Sequence, residues 1–168
     1  DDGSFRPETE LTRGAAAKII VSLLIGPEAA SNLPNSVSPY PDVPAGHTFA
    51  GVISYCKTAG YISGYSDGTF KPGDSVNWGA ALKMVLAYAG YEDAAPVEGG
   101  SWASGYIALA KSEGLIDGDV EQNANITRVE MCQLLAKALK IEASEKESTF
   151  PDTDDGYVLA LAELGVIG

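Results

Sequence analysis

The sequence predicts an all-helical fold of three helix–loop–helix repeats in a pseudo-threefold array, and three observations carry that prediction. A string dense in Gly, Asp and Pro recurs: Asp2-Gly3-Ser4-Phe5-Arg6-Pro7 matches Asp67-Gly68-Thr69-Phe70-Lys71-Pro72 at an offset of 65. Apolar residues on either side of these loops recur at helical spacing, and no stretch alternates as a long strand would. The chain also starts and stops on complementary halves. Gly165-Val166-Ile167-Gly168 is equivalent to Gly60–Ser63, and Asp1-Asp2 to Ser66-Asp67, so tail and head form one repeat split across the termini. A lone helix–loop–helix cannot bury its apolar stripe, so the two halves are expected to meet in space.

In chain order, residues 1–30 read as the second half of the split repeat and 38–93 as a complete repeat. Residues 97–142 read as a degenerate short repeat, and 149–168 as the first half of the split one; the whole is expected as a single domain. First helices are expected at His47–Ala59, Ser101–Glu113 and about Asp155–Leu164, each closing on Gly-x-Ile at Gly60, Gly114 and Gly165. Glycine just past a helical run takes the left-handed stop conformation, and the apolar residue beyond it packs back on the last turn. Second helices are expected to start at Thr12, Asn77 and Thr127, all good N-caps. Behind them Ala17/Leu82/Cys132, Ile20/Val85/Leu135 and Leu24/Ala89/Leu139 repeat one buried stripe. The connectors Gly26–Val43 and Tyr91–Gly100 read as exposed loops. Phe5, Phe70 and Val76 read as apolar pins.

Composition narrows the function. The 168 residues are 45% hydrophobic and 20% charged, an ordinary globular balance, with a formal net charge of −12. There is no basic surplus to neutralise phosphates, so nucleic acid is not an expected partner; no apolar run is long enough to span a membrane. The chain begins inside a loop and is expected to have lost its natural beginning or targeting segment. Cys56 and Cys132 fall in apolar helical patterns and are expected as buried free thiols rather than a disulfide.

The motifs match a known family. Tyr40-Pro41-Asp42-Val43-Pro44-Ala45-Gly46-His47, then Ile53, then Gly60 through Pro72, resembles the S-layer homology repeat. Asp2 through Arg13 resembles the second half of another copy, and Phe150-Pro151-Asp152-Thr153 with Gly165–Gly168 the first half. Residues 101–141 resemble a degraded third copy with a shorter loop: 14 residues from Gly114 to Thr127 against 18 from Gly60 to Asn77. The resemblance implies a three-spoke helical domain at the cell surface. It would anchor a larger surface protein non-covalently to a cell-wall polysaccharide, typically a pyruvylated secondary cell-wall polymer held in grooves between repeats. It also implies a ligand-contacting arginine in a Thr-Arg-Ala-Glu-like motif. By position that motif is Thr12-Arg13-Gly14-Ala15, Asn77-Trp78-Gly79-Ala80 and Thr127-Arg128-Val129-Glu130, and only the last keeps Thr, Arg and Glu together.

The residues themselves allow two readings at most of these positions. Thr127 and Glu130 have the spacing of a capping box, which explains them without a ligand. Arg13 and Arg128 oppose the helix dipole in a first turn, so helix stability does not call for them. An arginine beside unpaired helix amides suits a carboxylate, and the alternative is pairing with the chain's own acidic side chains. Trp78 takes the arginine's place in the second copy and either stacks on a sugar ring or packs on a neighbouring repeat. Tyr61 and Tyr65 flank the loop and are candidates to line a groove, with Gly60 and Gly114 serving turns, ligand approach, or both. Thr12 and Asn77 complete the candidate set as caps beside the ligand. Trp102 is expected to be packed and the lone His47 to cap or pack. Asp152-Thr153-Asp154-Asp155-Gly156 lacks the glycine placement of a calcium loop. No nucleophile–base arrangement or singled-out carboxylate pair appears, so neither an enzyme nor a cofactor is expected. The alternative function is a degenerate scaffold that binds protein or itself and has lost sugar recognition.

Overall fold

The computed structural model describes residues 2–168, leaving only the Asp1 part of the expected Asp1-Asp2 start outside the described residues. It is mainly helical: α1 (Arg13–Ile25), α2 (Pro27–Ser31), α3 (Ala50–Ala59), α4 (Trp78–Tyr88), α5 (Ser104–Ser112), α6 (Arg128–Ala138) and α7 (Gly156–Glu163). The chain packs as two compact units. One is Thr12–Ser75, with α1 against α2 and α3; the other joins the residues up to Leu11 to Val76–Gly168, with α4 on α5 and α6, and α6 on α7.

The three second helices start where cap chemistry places them. Thr12 Oγ1 accepts from Ala15 N at 3.3 Å, Asn77 Oδ1 from Ala80 N at 2.9 Å, and Thr127 Oγ1 from Glu130 N at 3.3 Å. Each satisfies an amide that the helix itself cannot. Two first helices begin later than the sequence suggests, at Ala50 and Ser104, because the residues just before them are spent on turns, while α7 begins at Gly156 directly after its expected start, Asp155, which caps it. His47 belongs to such a turn, its Nδ1 accepting from Phe49 N at 3.1 Å. Their ends follow expectation: Gly60, Gly114 and Gly165 take φ of 80°, 70° and 70°. The next residues, Tyr61, Leu115 and Val166, donate back to Cys56, Ala110 and Leu161 carbonyls, which closes the last turn.

The connector Gly26–Val43 departs from an exposed loop. It contains α2, begun by Pro27 where a missing amide hydrogen costs nothing, and it buries Ala30, Tyr40 and Val43. The expected pins hold: Phe5, Phe70 and Val76 are 2%, 1% and 1% exposed. Cys56 and Cys132 are free and buried, and burial pushes both thiols up to about 12.

Two features of the second unit tie distant parts of the sequence together. The head loop and the tail stretch meet, with Phe5 N and Arg6 N donating to Asp152. The residues just before the three caps close a ring of backbone hydrogen bonds. Leu11 N donates to Ile126 O at 3.0 Å, Ile126 N to Val76 O at 2.8 Å, and Val76 N to Leu11 O at 2.8 Å. All three side chains are buried, so this polar ring sits in an apolar setting with its N–H groups satisfied.

Candidate functional site

Each second helix starts against a turn-rich elbow, and two of the three elbows receive an arginine. In the unit Thr12–Ser75, Arg13 N donates to Asp74 O and Gly14 N to Pro72 O, which lays the first turn of α1 on the loop 60–74. The Arg13 side chain then turns away from the helix dipole and into the loop. Its Nε donates to Phe70 O at 2.8 Å and an Nη to Ser63 O at 3.2 Å. The guanidinium lies 4.5 Å from the Phe70 ring centre and 4.6 Å from that of Tyr65. Only 8% of Arg13 is exposed, so the carbonyl dipoles and aromatic faces stand in for lost water. Tyr65 is 42% exposed and also faces Lys71 Nζ at 4.6 Å, so one phenol ring carries two cations.

Arg128 repeats the pattern in the other unit with fewer partners. Its backbone N donates to Thr9 O, its Nε to Phe5 O at 2.9 Å, and its guanidinium sits 4.6 Å from the Phe5 ring centre. It is half-buried. Among the described residues neither Arg13 nor Arg128 makes an ion pair, whereas Arg6, Lys71, Lys111, Lys137 and Lys146 all do. The expected alternative, pairing with acidic neighbours, is therefore not what holds the two arginines. Carbonyl oxygens and aromatic rings do.

The cap next to Arg128 is the full capping box. Glu130 Oε2 accepts from Thr127 N at 2.8 Å and from Thr127 Oγ1 at 2.9 Å. Thr127 and Glu130 thereby use their side chains on each other and on the helix start.

The third elbow differs. Trp78 N donates to Ala124 O and Gly79 N to Gln122 O, so the backbone seat is kept while the arginine is gone. Trp78 is half-buried. Trp102, expected to be packed, is 47% exposed. It lies across Gly79, where an added Cβ would come within 2.8 Å of its indole. Gly14 makes the same close approach with Phe49, at 2.4 Å, while Val129 fills that place beside Arg128.

The structure groups Thr12, Arg13, Gly60, Tyr61 and Tyr65 in one unit, and Asn77, Trp78, Gly114, Thr127, Arg128 and Glu130 in the other. Within these, Arg13 and Tyr65 are in direct contact, as are Thr127 and Glu130.

Two functional-looking residues escaped the sequence reading. Asp42 accepts from Phe70 N at 2.9 Å and Lys71 N at 2.6 Å. Asp152 accepts from Phe5 N at 2.9 Å and Arg6 N at 2.7 Å. Each carboxylate grips the amides on either side of the carbonyl that holds an arginine. Lys71 and Arg6 are held at positive φ, 56° and 59°, a strained setting for residues with a Cβ. Burial of Asp42 opposes its ionisation, but the two backbone amides prevail and keep its carboxyl below the usual range. The recurring Pro-Asp dipeptides at 41–42 and 151–152 were the available signal. Asp155, the other half of the weak calcium-like string, caps α7 instead, and no metal-ligating cluster is present among the described residues.

A model of the S-layer homology domain matches residues 39–77, the stretch that contains the Asp42 grip and the loop around Arg13. The similarity extends over most of the chain. Cell surface glycoprotein 1 of Acetivibrio thermocellus is 31% identical over 179 aligned positions, covering 93% of this chain. The chain belongs to the S-layer homology family. S-layer protein EA1 of Bacillus anthracis is 28% identical over 86% of the chain, and the Cellulosome-anchoring protein of A. thermocellus 29% identical over 82%. The chain spans 8%, 18% and 34% of the length of these three relatives, so the shared part is a module within larger proteins. Against the other two elbows of this chain, the Trp78 elbow is the unusual one, with tryptophan where they carry arginine and with the shorter loop.

Proposed function

We propose that this module anchors a larger cell-surface protein to the wall by binding an acidic polysaccharide, of the pyruvylated secondary cell-wall polymer class, at its arginine-bearing elbows. The observation that carries the proposal is Arg128: a half-buried guanidinium at a helix start, seated on a carbonyl and an aromatic ring and carrying no ion pair. A pyruvyl ketal carboxylate supplies the bidentate anion that such a group lacks, next to the positive end of α6. Trp78 offers an amphipathic ring face for the sugar itself, and Tyr65, its ring engaged by Arg13 and Lys71, offers its exposed hydroxyl edge. The relatives are named S-layer protein, cell surface glycoprotein and cellulosome-anchoring protein, and the module belongs with them at the cell surface or cell wall.

Co-sedimentation with isolated cell walls tests this. The protein is expected to pellet with native walls, to stay in solution with polymer-stripped or depyruvylated walls, and to lose most retention on Arg128→Ala. Equal retention on native and stripped walls would favour the second reading, a scaffold that binds protein, which the arginine-free Trp78 elbow motivates.

A further inference from the structure

Two carboxylates do a job that no residue of the third elbow repeats. Asp42 spans Phe70 N and Lys71 N, and Asp152 spans Phe5 N and Arg6 N, each with one oxygen per amide. Phe70 O and Phe5 O, the carbonyls between those amide pairs, are the acceptors for Arg13 Nε and Arg128 Nε. The rings of the same two phenylalanines lie under the two guanidinium groups. One grip therefore fixes the carbonyl, the ring and the positive-φ residue after them. The third elbow lacks all the parts together. Trp78 replaces the arginine, and no non-glycine residue of 114–126 has positive φ. Among the described residues no carboxylate grips two successive amides there, and Asp93, in the connector ahead of α5, accepts from the Tyr106 hydroxyl.

We propose that Asp42 and Asp152 are positioning residues for anion binding: each sets the loop that aims one arginine, Asp42 for Arg13 and Asp152 for Arg128. The physical reason is that an arginine binds a carboxylate well only when its planar fork is held in place, and a guanidinium on a long flexible stem loses that advantage when its seat moves. A loop held at positive φ relaxes towards ordinary backbone once its grip is cut, carrying the carbonyl and ring away. This rests on the reading of the arginines as ligand contacts.

The test uses Asp42→Asn and Asp152→Asn in the full chain, with two readouts. Asparagine keeps one acceptor oxygen and sets an NH2 against the other amide, so the side-chain size is kept while half the grip is lost. Binding of purified wall polymer carrying pyruvyl ketals is expected to weaken about tenfold for Asp152→Asn, in line with loss of a charged hydrogen bond, and by less for Asp42→Asn, whose arginine is the more buried of the two, while the melting transition stays cooperative. The second readout is the side-chain Nε–H resonance of each arginine, of which the chain has only three, Arg6, Arg13 and Arg128. Asp42→Asn is expected to move or broaden the Arg13 signal and leave Arg128 unchanged; Asp152→Asn does the reverse. Both signals moving together under either substitution would mean general loosening, and neither moving would mean the grip is irrelevant; both results overturn the proposal. Wild-type protein that ignores the polymer would sink the anion reading, and the resonances would then decide the grip by themselves. If one variant does not fold, the other carries the same comparison, since the two grips lie in different units.

Discussion

Arg13 and Arg128 occupy the same helix position, yet their surroundings divide two tasks. Arg13 is 8% exposed, donates to two carbonyls and lies against two aromatic rings, while Arg128 is half-buried with one carbonyl and one ring. The first is closer to a structural pin and the second to an open hand. An arginine with its donors turned inward contributes chiefly to stability. One with part of its fork facing water retains capacity for a ligand.

The largest effect should come from removing the better-held cation. Arg13→Ala strands the Phe70 and Ser63 carbonyls and empties the slot between two rings, with an expected loss of about 3 kcal/mol in denaturant unfolding. Arg128→Ala should cost about 1 kcal/mol by the same measurement and yet lose more wall retention. Equal stability losses, or retention that depends on Arg13 alone, would erase the distinction.

The residue after each arginine sharpens the contrast. Gly14 admits no side chain, since a Cβ would come 2.4 Å from the Phe49 ring, whereas Val129 stands at that place beside Arg128. Gly14→Val is expected to destabilise by about 2 kcal/mol through overpacking, and Val129→Gly by about 1 kcal/mol through helix propensity, both read by thermal melting.

Acid should act through the Asp42 grip. The folded Asp42 carboxyl is held below its ordinary value, so its contribution is present above that value and is lost as pH falls through the lowered one. Asp42→Asn should therefore flatten the acid limb of a stability–pH profile, and an unchanged limb would show that the grip carries no linkage.

The smallest effect concerns the thiols. With burial pushing Cys56 and Cys132 up to about 12, native protein should react only slowly with a thiol reagent at pH 8, and rapidly once unfolded. Cys56 lies in the Arg13 unit and Cys132 in the other. Arg13→Ala should accelerate labelling of Cys56 more than that of Cys132.

By itself the sequence determined the elements that depend on local chemistry. The caps at Thr12, Asn77 and Thr127 and the glycine stops at 60, 114 and 165 follow from hydrogen-bond supply and backbone freedom within a few residues, and so were legible. The meeting of head loop and tail stretch was legible too, because the two complete one pattern, and the Phe5 and Arg6 amides do reach Asp152. What only the tertiary structure decided are relations across long sequence gaps. Asp152 reaches amides at 5 and 6, Asp42 those at 70 and 71, and three residues before three caps exchange backbone hydrogen bonds in a ring. A Pro-Asp dipeptide reads as a turn wherever it stands, and an arginine reads as a free cation until its acceptors are in place. The difference between Arg13 and Arg128 was invisible for the same reason: identical positions in the repeat, set apart by what the folded chain brings against them.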